Sequence, residues 1–157
     1  MPDDTPALAV LAASGLDYHV LRFAPPRSVH ESAAAQGIAV GALVKTIVVR
    51  RGEDDYVLVL VPGDRFIDWP KLRTLLDVRR LTMPPEDEAE AATGYARGSV
   101  TPFGTARPWP VIADAAVAAQ PLVGIGGGRL GVAVHLRSSD LIEYCDAAVA
   151  DVTKPAD

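Results

Sequence analysis

Two apolar runs, residues 44–50 and 56–61, flank a polar turn at residues 51–55, and they constrain the fold more than any other stretch of this chain. Both are rich in Val, Ile and Leu, which suit a pleated, buried surface. The short polar connection between them predicts a β-hairpin. Neither run alternates apolar with polar, as a strand with one wet face does. Both faces of the hairpin should therefore be covered.

The rest of the chain is punctuated at short range. Asp4 or Thr5 can cap a first helix, ALAVLAAS, which Gly15 ends. Residues 18–23 (YHVLRF) alternate as a strand does. After Pro25 and Pro26, the run Ser28-Val29-His30-Glu31 reads as a capping box, opening a helix that stops at Gly37. Asp68 can cap WPKLRTLL, with Pro70 in its first turn where no N–H partner is lost. Residues 78–81 predict a brief strand, 84–92 an acidic helix stopped by Gly94, and 95–107 a loop. Further strands are expected at 109–113 and 148–152, and a hairpin at 122–125 and 132–136. Ser139 is the expected cap of a helix over 140–145. No repeat, linker or regular βαβ period interrupts this order. Short strands with irregularly placed helices favour an α+β fold, a mixed barrel or sheet, over a doubly wound one. At 157 residues, one domain spanning 1–157 is the expectation.

Charge and cysteine usage limit the possible functions. The 15 basic and 20 acidic residues leave a net charge of −5. That balance argues against a broad grip on a nucleic-acid backbone, which needs many phosphate contacts. Recognition of a single nucleotide end by a few well-placed groups remains open. The longest apolar runs are strand-length, far short of the ~20 residues of a membrane span. The acidic opening MPDDTPALAV lacks the basic-then-apolar order of a signal peptide. Cys145 is alone, so no internal disulfide can form, and a reducing compartment fits. The chain reads as soluble and cytoplasmic.

A few residues stand out against their surroundings. Lys45 interrupts the strand VKTIVV, where burial without a partner is costly. It is either a strand-end lysine reaching solvent or a pocket cation for a phosphate or carboxylate. Thr46 beside it offers a hydroxyl, or is simply a β-branched strand residue. Gly98, Ser99, Val100, Thr101 and Pro102 lie in a loop that no periodicity explains. Such a loop can aim main-chain N–H groups at a carbonyl or oxyanion, or can be only a turn. The string GIGGGRLG mimics a dinucleotide-binding fingerprint, but a β-rich run follows it where that fingerprint needs a helix. It reads as a hairpin turn. His19, His30 and His135 are scattered without a metal-ligand spacing, so no metal and no cofactor is expected. His135, on a strand beside the glycine turn, is evenly balanced between a strand residue and a pocket residue. Cys145 and Ser139 lack the partners that make nucleophiles. Residues 86–90 read as a solvated acidic helix face.

The order of three segments carries more than any one of them. VKTIVV, then GYARGSVTPFG, then GIGGGRLGVAVHLRSSDLIEYCDA together resemble the YbaK/EbsC family, over roughly residues 15–152. That family comprises free-standing aminoacyl-tRNA deacylases and the editing insertion of bacterial prolyl-tRNA synthetases. The resemblance implies a mixed, barrel-like β-sheet with surrounding short helices and a cleft above it. It implies a trans-editing deacylase that hydrolyses the ester of a small amino acid mischarged on tRNA(Pro). The tRNA 3′ end, and an aminoacyl-tRNA synthetase as docking partner, would be its partners. By position, Lys45 would engage the terminal phosphate, and the backbone from Gly98 to Pro102 would face the scissile ester. His135 would be the pocket histidine, with Tyr18, Thr46, Ser99, Val100, Thr101, Pro102 and Gly126 around the substrate. Arg97, Arg107 and Arg129 are further cations for the acceptor end. Cys-tRNA(Pro) deacylases carry an acidic residue two positions before the histidine, where this chain has Ala133, a departure that points away from a cysteine substrate. The competing class is a non-catalytic module on the same fold that holds a tRNA end or a synthetase.

Overall fold

The computed structural model describes residues 4–156. In chain order the elements are α1 (Pro6–Ser14), β1 (His19–Arg22), α2 (Val29–Gln36), a 3₁₀ turn (Val40–Ala42), β2 (Leu43–Gly52) and β3 (Asp55–Pro62). Then follow β4 (Arg65–Ile67), α3 (Trp69–Leu76), α4 (Glu86–Thr93), β5 (Val111–Asp114) and α5 (Ala115–Ala118). The chain ends with β6 (Leu122–Gly126), β7 (Val132–Arg137), α6 (Ser138–Cys145), β8 (Ala148–Ala150) and β9 (Thr153–Pro155). Seven strands form one mixed sheet in the order β1-β7-β6-β2-β3-β5-β8, and β4 pairs with β9 apart from it. This is the mixed α+β arrangement expected from the sequence.

The central hairpin forms as its residues dictate. Val44 through Arg50 of β2 pair in antiparallel register with Pro62 back to Tyr56 of β3. Its two faces enter two separate cores. Tyr56, Leu58 and Leu60 point to one side, among Leu8 and Leu11 of α1, Phe103, Val117 and Leu141. Val57, Val59 and Val61 point to the other, against Ile67, Leu72 of α3 and Val152. Each buried Val or Leu contributes about 1.5–3 kcal/mol by leaving water, so a run without polar interruptions gains on both faces at once.

Local signals set several boundaries. Thr5, not Asp4, caps α1: its Oγ1 accepts from the Leu8 N–H at 3.1 Å and donates to the Gly127 carbonyl at 2.7 Å. Asp4 is instead ion-paired with Arg22 and Arg129. Ser28 caps α2 as expected, though Glu31 reaches the Arg27 N–H, one residue earlier than a regular capping box. Asp68 caps α3 through the Lys71 N–H at 3.2 Å.

Four expectations need correction. Residues 78–81 form no strand; nearby, Thr82 alone bridges to Arg50, at the far end of the β2 edge opposite β3. The last helix begins at Ser138, so Ser139 lies inside it and caps nothing; the Ser138 hydroxyl donates to the Gln120 carbonyl. The terminal strand expected at 148–152 is shorter, β8, and a further strand, β9, follows it on the other sheet. The brief β4 and the four-residue α5 were not anticipated at all.

Candidate functional site

β2 has one fully paired edge and one that is nearly free. On the free side it runs parallel to β6, pairs with it at Leu43–Gly124 and Val44–Ile125, and meets only the single Arg50–Thr82 bridge at its far end. Beyond Val44, β2 stays with β3 while β6 stays with β7, and the two strands part. Crevices beyond the carboxyl ends of parallel strands that part company are where open sheets generally hold ligands. A cleft of about 920 Å³ occupies this gap, lined by Lys45, Thr46, Gly98, Ser99, Val100 and Gly126 among others.

Lys45 enters the cleft from the parting strand. Its Nζ donates to the Arg65 carbonyl at 2.8 Å and lies 5.1 Å from the centre of the Phe66 ring. Burial pushes its pKa down, and the charge of Asp64 partly offsets this. No carboxylate pairs with it among the described residues, so the cation is open to an anionic ligand.

The 95–104 loop is held at both ends by buried aromatics. The Tyr95 hydroxyl donates to the Phe103 carbonyl at 2.6 Å, and the Phe103 side chain is fully buried. Between them the Ser99 N–H donates to the Ala96 carbonyl at 2.9 Å, closing a reverse turn whose third residue, Gly98, has φ 84°. That conformation is the reason for a glycine here. The turn uses the Ser99 N–H and leaves those of Gly98 and Val100 without a partner among the described residues. The hydroxyls of Thr46 and Thr101 are also buried and unpartnered.

Other expected site residues stand behind the lining. His135 does not line the cleft; its Nε2 lies 3.0 Å from Gln36 Oε1, and Gln36 and Ser32 do line it. Gln36 Nε2 donates to Ser32 Oγ at 3.0 Å, so its Oε1 is left to accept, and His135 Nε2 carries the hydrogen. Burial, and secondarily the neighbouring His19, hold the His135 pKa below the usual histidine value. Gly124 lies beneath this contact; a Cβ there would come within 2.5 Å of Gln36 Oε1. Tyr18 packs against the α1-side core, and Thr101 and Pro102 likewise lie outside the lining, where they continue the loop.

Of the three further arginines, Arg97 and Arg129 line the cleft and Arg107 does not, and each has an acidic partner. Arg97 pairs with Glu86 at 3.0 Å, Arg107 with Asp54 at 2.8 Å and Arg129 with Asp4 at 2.7 Å. Arg27, which sequence reading passed over, lines the cleft with its guanidinium unpaired among the described residues. Ser28, Ser32 and Gln36 were also missed, although a spacing of four puts three polar groups on one stripe of α2. Ala133 lines the cleft as well. Among the described residues no cluster of His, Cys, Asp and Glu could hold a metal ion, and no helix is long and apolar enough to cross a membrane.

The model of the aminoacyl-tRNA editing domain matches residues 24–144. A protein of Enterococcus faecalis named "Putative Cys-tRNA(Pro)/Cys-tRNA(Cys) deacylase EbsC" is 24% identical over 80% of this chain and 77% of its own length. A proline–tRNA ligase of Thermosipho melanesiensis is 28% identical over 82% of this chain, which spans only 23% of the ligase. Among solved structures, one described as "a putative trans-editing enzyme for prolyl tRNA synthetase" superposes with a TM-score of 0.88 at 28% identity, covering 95% of both chains. The family match takes in the Lys45 strand, the loop around Gly98 and the glycine hairpin, which are the parts that build the cleft, and the chain belongs to the aminoacyl-tRNA editing domain family of the YbaK/EbsC type.

Proposed function

We propose that this domain is a cytoplasmic trans-editing deacylase that hydrolyses the ester linking a small amino acid to the 3′ end of tRNA(Pro). The observation that carries the reading is the meeting, in one cleft, of an unpaired lysine and a turn with two free N–H groups. Lys45 takes the terminal phosphate and so fixes the distance of the ester from the 98–100 turn. An aminoacyl ester is already activated, and positioning plus charge stabilisation suffices to hydrolyse it. Water attacks the carbonyl carbon, and the N–H groups of Gly98 and Val100 hold the oxyanion. Collapse breaks the acyl C–O bond, the ribose oxygen leaves with the proton, and free amino acid and uncharged tRNA result. No protein nucleophile is needed.

His135 acts through Gln36 in this scheme. It fixes the carboxamide, which in turn holds Ser32 against the acyl group, so His135 is a positioning residue. Thr101 and Pro102 stiffen the turn, and Tyr18 supports the sheet from the α1-side core. With Ala133 in the lining, no acidic group is available at the position that marks cysteine deacylases.

The test is hydrolysis of Ala- and Cys-tRNA(Pro) and of Ser- and Ala-tRNA(Thr), with spontaneous ester loss subtracted, by wild type and Lys45→Ala. Selective turnover that disappears in the variant supports the reading and names the substrate. Binding of tRNA or a synthetase with no turnover on any substrate replaces it with the non-catalytic module.

A further inference from the structure

Phe66 lies beside Lys45 and belongs to neither core. It sits on β4, in the two-stranded sheet outside the main one, and is 55% exposed. β4 buries its other face: Ile67 is part of the α3-side core, and Arg65 is tied to Thr153 through its Nε at 2.6 Å. The strand would be held without an aromatic pointing outwards. Two cations flank the ring. Lys45 Nζ lies 5.1 Å from its centre, and Lys154 of β9 is the residue directly opposite in register, so the two side chains share a face. Lys154 is exposed and has no ion-pair partner among the described residues. Asp64 is the acidic group that acts on Lys45 here. In a chain of net charge −5, an exposed aromatic between two lysines is a local reversal of both charge and polarity.

We infer that Phe66, flanked by Lys45 and Lys154, is a stacking platform for an unpaired base at the RNA 3′ end, next to the phosphate that Lys45 holds. Aromatic faces interleaved with cations are how proteins hold single-stranded nucleic acid: the ring stacks on a base and the ammonium groups meet the backbone. The cleft takes the ester on one side of Lys45, and Phe66 lies on another side. The platform therefore continues the path of the strand away from the scissile bond. This rests on the deacylase reading only for the placing of the phosphate.

The platform is tested by fluorescence anisotropy with an RNA minihelix ending in CCA, and with versions lacking the base at the last or the penultimate nucleotide. Stacking is worth about 1–3 kcal/mol per base, so Phe66→Ala should weaken binding about 5- to 150-fold. Phe66→Leu should weaken it similarly, although it is apolar, and Phe66→Trp should stay within about 3-fold of wild type. Removing one of the two bases should cost wild type as much as Phe66→Ala does and cost Phe66→Ala nothing further. Lys154→Ala should lower the slope of log affinity against log salt by about one. Equal binding of all three RNAs overturns the platform, as does a Phe66→Leu variant that binds like wild type. Self-association in sedimentation that vanishes with Phe66→Ala, with RNA affinity unchanged, reassigns the patch to a second copy of the chain. If wild type hydrolyses nothing yet shows base-dependent binding through Phe66, the platform stands and the deacylase reading falls. If hydrolysis depends on Lys45 while neither hydrolysis nor binding responds to Phe66, the reverse holds.

Discussion

The two edges of β2 do different work. Along β3 the strand is paired from Val44 to Arg50 without a break, and its side chains feed both cores. Along β6 it is paired at two positions and then let go. The paired edge is apolar and dry. The released edge carries Lys45 and Thr46 and faces a loop whose N–H groups are unspent. One strand thus supplies stability on one side and a ligand site on the other. Changes at the two edges should therefore separate cleanly, loss of folding on one and loss of chemistry on the other.

The sharpest separation is Lys45→Ala, for which deacylation should fall at least about 100-fold as positioning of the ester is lost. Its stability should fall by no more than the one hydrogen bond to the Arg65 carbonyl contributes, about 1 kcal/mol, since the ammonium sits in no ion pair among the described residues. On the paired edge, Leu58→Ala leaves a cavity beneath a side chain only 1% exposed. It should cost about 2–5 kcal/mol in urea unfolding and leave kcat/KM within about 3-fold below the melting range. A Lys45→Ala that melts early, or a Leu58→Ala that folds well but does not turn over, breaks the comparison.

Gly98→Ala probes the loop between the edges. The added Cβ meets only Leu130, at 3.7 Å, so the penalty is the left-handed backbone, about 1–2 kcal/mol. Relaxation of the turn moves both free N–H groups, and turnover should drop about 10-fold. Unchanged turnover would remove the turn from the oxyanion role.

A subtler effect concerns His135. Its folded pKa is depressed, so the unfolded chain binds the proton first as pH falls. The stability it contributes is present above the unfolded value near 6.5 and is lost as pH drops through the lower folded value. In His135→Gln, urea midpoints at pH 7.5 and 5.0 should differ less than in wild type; an equal difference would show that the imidazole is not held neutral. The smallest effect is at Cys145, where burial pushes the thiol up to about 12. Folded protein should resist iodoacetamide at pH 8 and react once unfolded. Rapid labelling of the folded chain would contradict the packing of α6.

Much of this was readable from residues because the causes are local. The hairpin of β2 and β3 announces itself through uninterrupted apolar runs, α3 through Asp68 and Pro70, and the 122–137 hairpin through its glycines. Lys45 is conspicuous because a charge in such a strand needs a reason. The parting of β2 from β6 was not readable, since parallel pairing between residues eighty positions apart leaves no local trace. Strands as short as β4 and β9 exist only through each other, which is why Phe66 drew no attention. Residues 78–81 looked like a strand by composition, but only Thr82 beyond them meets β2, in a single bridge to Arg50. The pairing of Arg97, Arg107 and Arg129 with acids from elsewhere in the chain is likewise invisible in sequence. Gln36 gave a partial signal: a polar stripe at i, i+4 on an alanine-rich helix points to something polar opposite.

The most direct test is single-turnover hydrolysis of the best substrate in the mischarged panel by wild type, Lys45→Ala and Leu58→Ala, all at a temperature where each is folded. The account predicts that Leu58→Ala keeps the wild-type rate while Lys45→Ala falls to spontaneous ester loss. A Lys45→Ala variant that hydrolyses at the wild-type rate would contradict it, and the cleft at the free edge of β2 would not be where the ester is cleaved.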